Sequence, residues 1–365
     1  MLLELILTLL LGLLLLRWGL RLGRLLVRQG ATANDLFKDK PAVSLAFLGA
    51  YVGLLLLALN VPQMQALPLE WRFYGMRVTW TLMRVLLLGA CGVAIAVSWY
   101  TARRQLIAVI LLGAIGLSGF TAVEVYFLAP IANSLQDNLR SNGVFEQTSL
   151  SSCAPAALAT LMRVWGIDAT ESQMARFAST SRMGTTMPQL IIAARSIGFD
   201  GVELDPTWEQ MQQINRPGIL GVWLFDNNGR KLPHAVALLG LNPTTATIAD
   251  PARGQLFYLD RPTFDQVWRH QYVPIFRSTD ARLSRPEAET LLRQSGYTSL
   301  KQFQTAMKLP ETGNLNLEIT LLLQGKNLSD APRLDRLPAK LTRKFQLLPM
   351  FQSLPDLRLS SRPDT

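Results

Sequence analysis

Cysteine and histidine are scarce in this 365-residue chain, with two of each. Cys91 lies inside an apolar run, so no disulfide framework is expected, and Cys91 reads as a small buried hydrophobe. His234 and His270 stand far apart, without a Cys or a carboxylate at ligand spacing, so neither a metal nor another cofactor is expected. No zinc-finger or RNA-binding signature is present. Nucleic acid is therefore not expected as a partner, despite a net charge of +10 and a pI near 9.9. The N-terminus lacks the basic stretch of a secretory signal: it reads Met1-Leu2-Leu3-Glu4, so the first apolar run is expected to be retained as a helix.

What is abundant is apolar sequence. Hydrophobic residues make up 49% of the chain and mean hydropathy is +0.20. They crowd into the first third, as four runs: Leu2–Leu16, Ala42–Val61, Thr79–Tyr100 and Leu106–Phe127. A spanning helix needs roughly 20 apolar residues. The last three runs reach that, and the first does if it continues through Trp18 and Leu20 with Arg17 snorkelling. Positive residues set the orientation. Arg17, Arg21, Arg24, Arg28, Lys38 and Lys40 follow the first run, and Arg103 and Arg104 join the third to the fourth, so both loops are expected in the cytoplasm. The N-terminus, a loop around Pro62–Arg77 and everything after Phe127 then lie outside. The expected setting is a multi-pass protein of the cytoplasmic (inner) membrane with an extracytoplasmic or periplasmic domain. Arg84 and Glu124 interrupt two of the runs. Each sits about 24–27 Å along its helix from the cytoplasmic turn at 1.5 Å per residue, which makes them candidates for an ion pair.

From about Gly143 to Arg277 the pattern is globular. Ala154–Trp165, Thr170–Phe177 and Met187–Ser196 read as helices, with Gly166 a stop signal. Gly218–Phe225, Ala235–Leu241, Thr245–Ala249 and Gln255–Leu259 are short β-like runs separated by Asn-Asn-Gly, Asn-Pro and Asp-Pro turns. Helices first and strands second point to an α+β domain. Leu283–Gln324 reads as a small helical segment, and the chain from residue 326 to 365 as a flexible tail.

Three residues of this region can carry chemistry together. Cys153 sits at the predicted start of an Ala-rich helix, with Pro155 in the first turn, where proline is tolerated. The partial positive charge of a helix N-terminus favours the thiolate, the nucleophilic form. His234 opens an apolar strand, which would hold a base rigidly. Asp250 ends the next β-like run, so in an antiparallel hairpin it falls at the same edge as His234 and can orient the imidazole. His270, among Trp and Phe residues, reads as a surface or packing histidine.

The segment from Gln147 to about Arg277 resembles family 39 of the cysteine peptidases, the papain-like bacteriocin-leader processors. The matching pattern is a Gln six positions before a Cys that opens a helix, then a His heading an apolar strand, then Asp-Pro after the next strand. Here these are Gln147, Cys153, His234 and Asp250-Pro251. The resemblance implies a papain-like fold, with Cys153 as nucleophile, His234 as general base and later acid, and Asp250 orienting it. The Gln147 side chain and the Cys153 backbone N–H would form the oxyanion hole. The family usually has Gly after the Cys; here it is Ala154, whose β-carbon could narrow the cleft. A double-glycine preference is implied by the resemblance alone. Transporter-linked members carry a fused ATP-binding cassette, whereas no Gly-rich Lys-Ser/Thr phosphate loop occurs here, and a separate transporter partner stays open.

A second segment, Ala288–Gln324, resembles the helical peptidoglycan-binding domain. The carriers are Phe303-Gln304, then Leu309-Pro310-Glu311-Thr312-Gly313-Asn314-Leu315, then Thr320. The expected architecture is thus a membrane α-helical region of about four helices (1–130), an α+β papain-like peptidase domain (141–278), a small all-α domain (283–325) and the tail. The expected partners are a peptide or protein substrate, membrane lipid and peptidoglycan. The expected activity is a cysteine-type endopeptidase. Its competitors are a catalytically silent peptide- or wall-binding membrane protein and a transglutaminase-like acyl-transfer enzyme.

Overall fold

The computed structural model describes residues 2–33, 41–225, 229–325, 328 and 330–336. The chain divides into two units, Met1–Ala129 and Pro130–Thr365.

The first unit is helical. Helix α1 (Leu2–Arg28) runs past Arg17 and Trp18 without a break, α2 covers Pro41–Asn60, α3 Leu69–Thr101 and α4 Leu106–Leu128. Among the described residues, Ile6–Arg28, Leu69–Thr101 and Arg103–Leu128 are long and apolar enough to cross a membrane. The segment around Pro62–Arg77, expected as a loop, is mostly helix, because α3 begins at Leu69. The cause is local: Pro68 precedes the first turn, and the buried Arg72 guanidinium donates from Nε and Nη2 to the Pro62 carbonyl at 3.0 and 2.6 Å. That satisfies a carbonyl in the preceding short turn and ties it to the helix.

α1 and α3 pack through small residues. A Cβ added at Gly19 would lie 2.0 Å from the Gly89 carbonyl oxygen, and one at Gly92 2.5 Å from that of Leu16. Only glycine admits such an approach, as where helices associate through small residues rather than through hydrophobic burial. Arg84 of α3 and Glu124 of α4 form an ion pair. Cys91 is a free thiol on α3 that lies close to Gly113 of α4.

The second unit opens with a two-stranded ribbon, β1 (Asn138–Leu139) and β2 (Phe145–Glu146). Helices α5 (Cys153–Val164), α6 (Glu171–Phe177) and α7 (Met187–Arg195) follow. Then come β3 (Phe199–Gly201), α8 (Trp208–Ile214), β4 (Gly218–Phe225), β5 (Lys231–Leu241), β6 (Thr245–Asp250), β7 (Gln255–Asp260), α9 (Arg261–Val267) and β8 (Trp268–Arg277). Six strands form one antiparallel sheet in the order β3-β8-β4-β5-β6-β7. Strand β8 and helix α8 carry no clear sequence signal: Pro274 interrupts the first and α8 is only seven residues long.

Helices α10 (Arg285–Gln294), α11 (Leu300–Ala306) and α12 (Leu317–Gln324) follow. They do not form a core of their own. Ala288, Leu292, Phe303 and Leu321 join Leu220, Val236, Phe264 and Phe276 in one buried cluster with the sheet and α8. The expectation of a tail from residue 326 also needs correcting at its start. Leu334 is buried in the same cluster, and its backbone donates to Asn215 O and accepts from Leu241 N–H. The rest of the expected tail, 337–365, lies outside the described residues. The resembling Phe-Gln and Leu-Pro-x-Thr-Gly segments interlock. Gln304, 1% exposed, donates from Nε2 to Thr312 Oγ1 at 3.0 Å and accepts from Gly313 N–H at 2.8 Å. That pattern is explained by loop closure, with no ligand required.

Candidate active site

Cys153 is the first residue of α5, behind a closed turn. Ser149 N–H donates to Ser152 Oγ at 3.0 Å, and Ser152 Oγ donates back to Ser149 O at 2.9 Å. The first helical N–H groups have no intrahelical acceptor, so the Cys153 N–H is left for another one. The alanines after the cysteine let α5 sit tightly on β5. Ala154 is only 2% exposed, so its methyl packs inward and does not line an open cleft.

His234 lies in β5 with Val222 of β4 beside it, and Asp250 is the last residue of β6. Ala237 pairs with Ala249, which places Asp250 one step further along the hairpin, toward His234. His234 Nε2 and Asp250 Oδ1 are 2.6 Å apart, and both residues are 7% exposed. The same oxygen accepts from Ala252 N–H at 2.9 Å, so the loop backbone also fixes the carboxylate. The half-buried Cys153 thiol lies close enough to the His234 imidazole and to the N–H groups of Ala235 and Ala154 for them to govern its titration.

The electrostatics follow from these contacts. Burial pushes the Cys153 thiol up, but the His234 hydrogen bond and charge and the two N–H groups outweigh it, so the thiol lies below its ordinary value. Burial pushes His234 down, but the hydrogen bonds and charges of Asp250 and Cys153 win and raise it to about 9. Both shifts act in the same sense, toward the thiolate–imidazolium form and away from the neutral pair.

Gln147 lies on the approach to this turn. Its N–H donates to Pro251 O at 2.8 Å, next to Asp250, and its Nε2 donates to Ser149 O at 2.9 Å. One N–H of that amide stays available, while Oε1 is buried without a hydrogen-bond partner. The structure thus brings Cys153, His234 and Asp250 together, with His234 and Asp250 in direct contact, and anchors Gln147 to the loops on either side. His270 stays apart. It sits at φ 56° in a bulge of β8, exposed, stacked on Trp268 and 3.0 Å from Asp205. Sequence reasoning missed Glu171. It is wholly buried and accepts from the N–H and hydroxyl of Thr148, the residue after Gln147.

The sequence profile of the peptidase C39 family matches residues 141–280. An uncharacterized protein of Methanothermobacter marburgensis is 32% identical over 139 residues, which cover 38% of this chain and 90% of that protein. One from Methanothermobacter thermautotrophicus is 29% identical over 148 residues, covering 40% of this chain and 96% of that protein. Among solved structures, the peptidase domain of Streptococcus ComA, a bifunctional ABC transporter involved in quorum sensing, is similar with a TM-score of 0.34. It is 19% identical and the match covers 38% of this chain and 99% of that domain. Through residues 141–280 this chain belongs to the peptidase C39 family of cysteine peptidases.

Proposed function

We propose that the chain is a membrane-anchored cysteine endopeptidase that cleaves peptides or proteins on the extracytoplasmic side. Cys153 is the nucleophile, His234 the proton carrier, Asp250 its orienting partner and Gln147 an oxyanion donor. The observation that carries this reading is the contact between His234 Nε2 and Asp250 Oδ1 at 2.6 Å, with the Cys153 thiol on the same imidazole. The reactive form is the thiolate–imidazolium pair, with the thiol proton on His234. The sulfur attacks the scissile carbonyl carbon, a C–S bond forms, and the carbonyl π electrons move to oxygen. The Gln147 amide and the Cys153 N–H stabilise that oxyanion. Its collapse breaks the C–N bond as the imidazolium gives its proton to the leaving amine. Water then attacks the thioester while His234 takes its proton, and the thiolate leaves.

The anchor is supported by the three helices of spanning length. The side of the membrane follows from the arginines and lysines after α1 and between α3 and α4. Peptidoglycan remains a proposed partner of the C-terminal helices, where Arg282, Glu287 and Asn316 line an open groove together with Leu283, Leu315 and Leu317. A separate transporter is compatible with this reading and is not required by it.

The test uses the full chain in detergent and acetyl-Gly-Gly p-nitrophenyl ester, whose two glycines impose little steric demand on a cleft. A burst of p-nitrophenol with an acetyl-Gly-Gly adduct on the Cys153 peptide, abolished by Cys153→Ala, is expected. Equal release by wild type and Cys153→Ala would contradict the proposal.

A further inference from the structure

Glu171 is the first residue of α6 and is 0% exposed. Burying a carboxylate is costly unless its oxygens are satisfied. Both of its oxygens are engaged by one residue: Oε1 accepts from Thr148 N–H at 2.9 Å, and Oε2 from Thr148 Oγ1 at 2.8 Å. The Thr148 hydroxyl in turn accepts from Gln136 N–H at 3.1 Å. The base of α6 is fixed separately: Asp137 accepts from Ser172 N–H at 2.6 Å and from Ser172 Oγ at 2.5 Å.

The consequence falls on Gln147. Thr148 N–H belongs to the peptide plane that follows Gln147, and Glu171 holds it. Gln147 N–H belongs to the plane before, and Pro251 O holds it at 2.8 Å. Both planes around Gln147 are pinned, one to α6 and one to the loop that carries Asp250. Fixing those planes fixes the backbone dihedrals of Gln147 and hence the direction in which its amide leaves the chain. An isosteric apolar side chain would fill the space of Glu171 but hold neither group of Thr148.

We infer that Glu171 is a positioning residue for the oxyanion side of the site, acting through Thr148 on Gln147. The inference rests on the peptidase reading above. It separates two properties that a general loss of structure would move together. Alkylation of Cys153 by iodoacetamide needs the thiolate but develops no oxyanion at a carbonyl carbon. Acylation by the ester needs both. A displaced catalytic group commonly costs about 100-fold.

The experiment compares Glu171→Leu, which can hold neither group of Thr148, and Glu171→Gln, which can still accept from its N–H, with wild type, all as full chains in detergent. Acylation by acetyl-Gly-Gly p-nitrophenyl ester is read from the p-nitrophenol burst. Alkylation at pH 7 is read by mass spectrometry on the Cys153 peptide, which excludes Cys91. In Glu171→Leu the maximal acylation rate should fall by about 10- to 100-fold with the half-saturating ester concentration unchanged, while alkylation stays within about twofold. Glu171→Gln should recover most of the lost rate. An unchanged acylation rate in Glu171→Leu overturns the inference and leaves the peptidase reading standing. Equal losses of acylation and alkylation overturn it in favour of a purely structural role. A wild type that is not acylated at all removes the peptidase reading, and the inference with it.

Discussion

At the scale of the residue, the site depends on two opposed proton shifts. His234 is raised from 6.5 to about 9, so by itself it contributes stability that is complete below about 6.5 and lost as the pH rises through 9. The Cys153 thiol is lowered, so by itself it contributes stability that is complete above its unfolded value and lost as the pH falls through its folded one. In between, the folded pair and the unfolded pair hold the same number of protons, so the two effects oppose each other. The pH dependence should therefore appear in reactivity rather than in folding. Gln147 adds a separate prediction. In the proposed mechanism its amide serves the oxyanion but touches neither proton, so Gln147→Ala should reduce the maximal acylation rate by about 10²–10³-fold. Thiol alkylation should stay close to wild type, and single-turnover ester kinetics beside iodoacetamide labelling checks both. That His234 and Asp250 meet can be read from position, because consecutive strands bring a strand's start and the next strand's end to one edge. Glu171 could not be read this way. An acid just after Thr170, in the first turn of a helix, looks like ordinary helix-start chemistry, and nothing in the sequence says that it faces Thr148.

At the scale of the element, the helices of the first unit were legible as apolar runs, but not their pairings. Leu2–Arg28 reads as an apolar helix with a basic stripe of Arg17, Arg21, Arg24 and Arg28 in its second half, and only the structure shows that Gly19 and Gly92 lie where α1 and α3 meet. Gly92→Leu should therefore be strongly destabilising. Overpacking costs about 1–3 kcal/mol even where neighbours can give, and here the added atoms meet the Leu16 carbonyl and the Leu20 amide nitrogen. Gly116→Leu, at a position with no atom within 4 Å of an added Cβ, should be close to neutral. Thermal aggregation of the two variants in detergent distinguishes them. A similar gap separates pattern from meaning in the C-terminal helices. Amphipathic spacing shows that α10–α12 bury a face, but not that the face is completed by Phe264 and Phe276 of the peptidase domain. The Phe-Gln and Leu-Pro-x-Thr-Gly segments were legible as a motif, while the Gln304 contacts that explain them were not.

At the scale of the whole molecule, the chain joins an apolar helical unit to a peptidase C39 unit whose sheet shares its core with the C-terminal helices. The order of helices before strands was legible from turn signals and hydrophobic periodicity. Strand β8 was not, since the run Trp268–Arg277 mixes charged and apolar residues and bulges where His270 takes a positive φ. The central claim is that this fold turns Cys153 into an activated nucleophile. The most direct test is the rate of iodoacetamide labelling of Cys153 in the full chain across pH, for wild type, His234→Ala and Asp250→Asn. Wild type should already react below pH 7, with both variants slower there and their onset moved toward an ordinary thiol near 8.5. A wild-type thiol that reacts only near 8.5 and is indifferent to both substitutions would contradict the account.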